Sequence, residues 1–163
     1  MAHPHIKAIE SMGASSLIGI IEESKMIYVR ENLSIFMHES HIKLLKRVQK
    51  HQKPHHKKIR IRQFEKAEKD DLFNLHLGLY LKKYKKLEKS GLIEIDLNPD
   101  NGLAYDCILT SKGVEILDEI SSLESEWEAI VGITDDDREV LKKLALDSFG
   151  ISYDHKKKRD FIF

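Results

Sequence analysis

The sequence predicts a mainly α-helical protein interrupted by one small β-hairpin, an α+β arrangement. Three observations carry that prediction. Apolar residues recur at helical spacing over most of both ends of the chain. Two short segments of alternating apolar and polar residues flank an Asn98-Pro99-Asp100-Asn101-Gly102 turn, in which Asn-Gly is a strong hairpin signal. Charge is sorted along the chain: the 163 residues hold 27 Lys+Arg and 27 Asp+Glu. Residues 43–93 nevertheless carry 16 basic against 5 acidic side chains, while residues 94–147 carry 4 against 15. The middle segment is an electrostatic footprint suited to phosphate, and its acidic neighbour would confine any such contact to the middle.

The length suits one domain with helical extensions, and a core large enough to fold without disulfide or metal. An apolar fraction of 41% excludes a disordered chain. No apolar run is long enough to span a membrane, so none is expected as a partner. The first residues lack the charged start and apolar stretch of a secretory signal. A single cysteine, Cys107, cannot form an intrachain disulfide, which fits a reducing cytoplasm, the expected compartment.

In chain order, the spacing predicts a helix from Ser15 to Met37. Ile18, Ile21, Val29, Leu33 and Phe36 form its stripe; a strand over Met26 to Val29 competes, because β-branched and aromatic residues cluster there. Glu39 to His51 reads as a second helix on Ile42, Leu44, Leu45 and Val48, with Pro54 beyond its end. Lys57 to Arg62 alternates as a short strand. Phe64 to Asn74 and Leu77 to Ser90 read as helices, with Gly91 as the residue that can take a left-handed turn after the second. Leu92 to Leu97 and Leu103 to Leu109 are the hairpin strands. Ser111 is the expected cap of a long helix running on Val114, Leu117, Ile120, Leu123, Trp127, Ile130 and Val131 and stopped by Gly132. Thr134 caps a last helix whose Asp135, Asp136 and Asp137 complement its dipole. Val140, Leu141, Leu144, Ala145 and Phe149 are its apolar face, and a basic tail follows.

That order is a winged helix-turn-helix with helices added at both ends. It divides the chain into residues 1–37, 38–110 and 111–163.

Leu87-Glu88-Lys89-Ser90-Gly91-Leu92-Ile93, the turn after it, and Leu109-Thr110-Ser111-Lys112-Gly113 together resemble the MarR family of transcription regulators. In that family the recognition helix ends in a Leu-Glu-x-x-Gly-Leu segment, and the wing leads through Leu-Thr-x-x-Gly into a dimerisation helix. The specific match covers residues 77–149; the two N-terminal helices fit by order and length. The family's wing commonly carries an Asp-x-Arg turn, and this chain keeps Asp100 without the arginine. The resemblance implies a winged helix-turn-helix with N- and C-terminal dimerisation helices: residues 1–37 as the N-terminal dimerisation region, 38–110 as the DNA-binding lobe, and 111–163 as the C-terminal dimerisation helices and tail. It implies a homodimeric, repressor-type regulator of transcription that binds double-stranded DNA, with a small-molecule effector between dimer helices and lobe.

The residues expected at DNA follow from charge and position. Lys82, Lys83, Lys85 and Lys86 lie on the recognition helix, off the side that Tyr84 and Leu87 bury, and give salt-dependent phosphate contacts. His76, Gly78, Tyr80 and Leu81, nearer the helix start, are placed to read bases. Lys57, Lys58, Arg60 and Arg62 form a second basic strip; Asn98 and Asn101 lie in the wing. The expected dimer surface comprises Ile18, Ile21, Val29, Leu117, Ile120, Leu123, Trp127, Leu141, Leu144 and Phe149. Alternative readings are a winged helix that binds protein, and a metal- or redox-responsive regulator. His38 and His41 share a helix face, but no zinc-ligand spacing occurs and the expectation is no metal and no cofactor. Cys107 reads as a buried thiol on a wing strand. No phosphate loop, nucleophile elbow or paired catalytic carboxylates occur, so no enzyme is expected.

Overall fold

The computed structural model describes residues 4–51, 82–97 and 105–162. It contains α1 (Pro4–Glu10), α2 (Ala14–Asn32), α3 (Glu39–His51), α4 (residues 82–89), β1 (Ile93–Leu97), β2 (Tyr105–Leu109), α5 (Ser111–Val131) and α6 (Asp135–Ile162). The expected strand at Lys57–Arg62, the helix from Phe64 to Asn74, the start of the helix from Leu77 and the turn Asn98–Gly102 lie outside the described residues. The chain divides into two compact units, Met1–Glu124 and Ser125–Phe163.

In the first unit, α1 was not expected. It is one short helix with no buried side chain, so it leaves no apolar stripe to read; proline leads it, where a missing N–H costs nothing. The helix expected from Ser15 to Met37 is α2, and it stops at Asn32. Leu33 is extended, and its N–H donates to the Val29 carbonyl at 2.9 Å. Leu33 and Met37 are still buried, from a non-helical segment whose spacing imitates a helix. Phe36, placed on the same stripe, is instead 78% exposed. The competing strand over Met26–Val29 does not form: Met26 and Val29 are three residues apart on one buried helix face.

In α3, Ile42 and Leu45 are completely buried and Val48 nearly so, as their spacing predicts. Glu39 in its first turn pairs with Lys43 at 2.7 Å; that partner lowers the glutamate's pKa and raises the lysine's. α4 buries Tyr84 and Leu87. It ends at Gly91, whose φ of 75° is the left-handed turn that favours glycine. The Leu92 N–H donates to the Leu87 carbonyl and the Gly91 N–H to that of Glu88, which closes the helix end. Leu92 and Leu87 are both buried, the apolar contact that accompanies such an end.

β1 and β2 are antiparallel, in register from Ile93 opposite Leu109 to Leu97 opposite Tyr105. β1 starts at Ile93, one residue later than its alternation suggested. Ile93 is buried while Ile95, Cys107 and Leu109 pack on the core from its edge; Glu94 and Ile108 face out.

Thr110, not Ser111, caps α5. Its hydroxyl accepts from the Gly113 N–H at 3.0 Å and donates to the Gly91 carbonyl at 2.6 Å. A cap residue must be extended, and Thr110 leaves β2 already so, whereas Ser111 is the first helical residue. Gly113 lies in the first turn because the Leu92 carbonyl oxygen occupies the place a Cβ would take.

The core joins α2, α3, α4, the hairpin and α5 through Val29, Leu45, Tyr84, Leu92, Ile93 and Ile120. Each such burial contributes about 1.5–3 kcal/mol before chain entropy is charged against it. Two polar ties add to it. The Ser34 N–H and Oγ each donate to the Glu119 carboxylate at 2.6 Å, and Lys46 pairs with Glu124.

The dimer surface expected from sequence needs correction here. Val29, Leu117, Ile120, Leu123 and Trp127 are buried within the single chain. A side chain already covered by its own protomer has no area left to give to a partner. Ile116, which the stripe omitted, is buried as well.

The second unit contains the end of α5 and all of α6. Gly132, φ 77°, ends α5 as expected, with the Ile133 N–H donating to the Glu128 carbonyl at 3.2 Å. Thr134 and Asp137 cap α6 reciprocally: Asp137 N–H to Thr134 Oγ1 at 3.2 Å, and Thr134 N–H to Asp137 Oδ2 at 2.9 Å. The bonds from Thr134 hold the Asp137 carboxyl below the usual carboxylate range. The basic tail expected after Phe149 is helical: α6 continues through Gly150 to Ile162.

Candidate nucleic-acid interface

The basic middle of the sequence reaches the described residues at α4. At about 100° per residue, the buried Tyr84 and Leu87 define one side of this helix. Lys82, Lys85, Lys86 and Lys89 fall within an arc of about 100° on the opposite side, and all four are exposed. Lys83 is half-buried at the edge of that arc. The charge is therefore a consequence of how the helix sits: its apolar side holds it on the core, and a row of ammonium groups is left to face outward.

The end of α4 is held by neighbouring elements. The Glu88 carboxylate accepts the Ile95 N–H at 2.9 Å. Ile95 stands opposite Cys107 in the hairpin, and its N–H belongs to the edge turned away from β2. A side chain of the helix thus occupies a hydrogen-bonding position of the strand. Lys112 Nζ donates to the Ser90 carbonyl at 3.1 Å, and the Thr110 N–H to that of Leu92 at 3.1 Å. These bonds give physical meaning to the two sequence segments that carried the resemblance. Leu87, Gly91 and Leu92 close the helix; Thr110 caps α5 and clasps that closure; Gly113 admits the close approach.

Of the residues expected at DNA, Lys82, Lys85 and Lys86 share the exposed face and Lys83 borders it. Lys57, Lys58, Arg60, Arg62, His76, Gly78, Tyr80, Leu81, Asn98 and Asn101 lie outside the described residues. Of the expected dimer residues, Ile18 and Ile21 are exposed on α2, and Leu141, Leu144 and Phe149 are exposed on α6. Among the described residues no three His, Cys, Asp or Glu side chains assemble as a metal ion would need. No described helix is long and apolar enough to cross a membrane.

Two residues of consequence escaped the sequence. Glu88 was legible only as a motif letter; its bond to the hairpin has no local signal. His41, in the first turn of α3, has its Nε2 buried with no hydrogen-bond partner. Burial is the main cause that lowers its pKa, followed by the charge of Lys86, then of His38 and Lys83.

A helix presenting cations, followed by a hairpin and then a long helix clasped to both, defines a winged-helix protein. Among solved structures, MarR superposes with a TM-score of 0.64 at 22% identity, over 91% of this chain and 96% of that one. The S. aureus MepR–DNA complex gives 0.60 at 15% identity, over 86% and 98%. The PcaV transcriptional regulator of Streptomyces coelicolor, in complex with its natural ligand, gives 0.59 at 12%, over 87% and 95%. No family model matches the sequence, and no curated protein does. The fold of this chain is the MarR-type winged helix, mostly helical with a two-stranded antiparallel hairpin.

Proposed function

We propose that this chain is a DNA-binding regulator of transcription, not an enzyme, working in the cytoplasm as a homodimer of the repressor type. The observation that carries the reading is the exposed face of α4, where Lys82, Lys85, Lys86 and Lys89 stand opposite the buried Tyr84 and Leu87. A row of ammonium groups on a helix held this rigidly meets phosphates in a fixed register, and phosphate contacts set position while base contacts specify. MepR, which shares the fold, was solved bound to DNA. The dimer reading is supported by apolar side chains that the single chain leaves uncovered: Ile18 and Ile21 on α2, and separately Leu141, Leu144 and Phe149 on α6. A soluble protein does not normally keep such rows in water. A small-molecule effector remains part of the proposal, on the strength of the ligand-bound PcaV.

The test is fluorescence anisotropy with the full chain on a panel of duplexes over a salt series. Replacing Lys82 and Lys85 with alanine weakens binding to every duplex by similar factors. It also flattens the salt dependence by about one unit of slope for each phosphate no longer neutralised. Unchanged affinity and slope in the double variant would remove α4 from the interface. Wild-type binding that is sequence-blind and vanishes near physiological salt would favour the protein-binding alternative.

A further inference from the structure

His41 sits where α3 begins, beside a cleft that opens between the segment joining α2 to α3 and the last turn of α4. Phe36, His38, His41, Lys86 and Ser90 are among the residues along it. The rings form a short row: Phe36 meets His38 edge-on with centroids 5.1 Å apart, and His38 lies 5.8 Å from His41. His41 Nε2 is sealed from solvent and has no hydrogen-bond partner, and the apolar neighbours in the same wall are Met37, Leu87 and Leu92.

A neutral imidazole has one N–H and one bare nitrogen; a protonated one has two N–H groups. A bare nitrogen can be buried at modest cost, but an N–H placed there without an acceptor costs about 1–3 kcal/mol, more when charged. The charged and titratable groups that face the ring are His38 from the joining segment and Lys83 and Lys86 from α4. The lysines repel a second positive charge there, and among the described residues no carboxylate is named with them to offset it.

We infer that His41 is a proton-operated latch: neutral, it seals the joint between α3 and the end of α4; protonated, it is driven out toward the adjoining cleft and loosens the seat of α4. The cleft supplies the space for that movement, and Lys86, Leu87 and Ser90 at the end of α4 share its wall with His41, so the ring acts where that helix end is seated. A folded-state pKa below the ordinary histidine value gives the sign. The contribution to stability is present above the unfolded pKa near 6.5 and is lost as pH falls through the folded value. The latch itself needs no DNA. Its consequence for regulation, weaker duplex binding in acid, rests on the function proposed above.

The experiment is amide hydrogen exchange on the full chain at pH 7.5 and 5.5, corrected for intrinsic rates, with wild type, His41→Gln and His41→Phe, alongside an NMR titration of the wild-type histidines. In wild type, protection of residues 82–92 falls at least about threefold on acidification. The loss is absent in whichever variant folds, and the His41 ring titrates below the ordinary histidine value. Equal pH dependence in wild type and variants overturns the latch, and so does ordinary titration of His41. Anisotropy on a duplex at both pH values separates the two readings. Acid loosening of α4 in a protein that binds no duplex keeps the latch and sinks the regulator; pH-independent exchange in a protein that binds duplex does the reverse.

Discussion

Gly113→Ala tests the crossing of α5 over the end of α4. A Cβ at this position falls well inside contact with the Leu92 carbonyl oxygen and lies 3.1 Å from its carbon and 3.2 Å from Leu109 Cδ2. The nearest atoms are backbone, not the end of a flexible side chain, so the two segments must separate by about 1 Å to reach ordinary van der Waals distance. That separation stretches both bonds of Thr110 across the joint, to the Gly91 and Leu92 carbonyls, worth about 1 kcal/mol each. Strain adds about 1–3 kcal/mol, and alanine's better helix propensity returns about 1 kcal/mol. The net loss is about 2–4 kcal/mol, or roughly 4–16 °C in Tm for a chain of this size. Thermal and urea unfolding at one protein concentration measure it. Gly19→Ala is the control: it lies within α2 with nothing inside 4 Å of the added carbon, so propensity alone should act and the variant should gain up to about 1 kcal/mol. A Gly113→Ala protein within about 0.5 kcal/mol of wild type, the ordinary range for an unconstrained surface site, would refute the close-approach argument.

Ile120→Ala, at a completely buried position, should cost about 3–4 kcal/mol in urea unfolding; a loss below about 1 kcal/mol would contradict its central place in the core. Ile18→Glu with Ile21→Glu, both on exposed positions of α2, should shift sedimentation from dimer to monomer while the far-ultraviolet dichroism of the fold persists. A wild-type chain that sediments as a monomer at micromolar concentration would end the dimer reading.

What the sequence makes legible is what local physics alone decides. The stripe of α3 was readable because every apolar position on it found a place in the chain's own core. Gly91 and Gly132 were readable as helix ends because only a left-handed residue closes those turns cheaply. The end of α2 was not: Leu33 and Met37 keep helical spacing while lying beyond the helix, and burial alone cannot distinguish the two geometries. Gly150 did not stop α6, since a glycine within an exposed helix costs only about 1 kcal/mol. Periodicity also cannot say whose core an apolar residue enters. Ile18 and Ile120 look alike in sequence, yet one is exposed and the other is sealed in its own protomer. The bonds of Glu88 and the buried nitrogen of His41 depend on residues from other elements, and no spacing announces them.

The clasp at Thr110 has a mechanical consequence. The hydroxyl and N–H of one residue grip the turn that ends α4, and α5 starts at the next residue. Ile116, Leu117, Ile120 and Leu123 press the following turns of α5 into the core, so the start of α5 and the end of α4 form one joint. A displacement there is shared by both helices: whatever shifts the first turn of α5 tilts the row of ammonium groups, and an α4 pinned by phosphates would hold that turn in place.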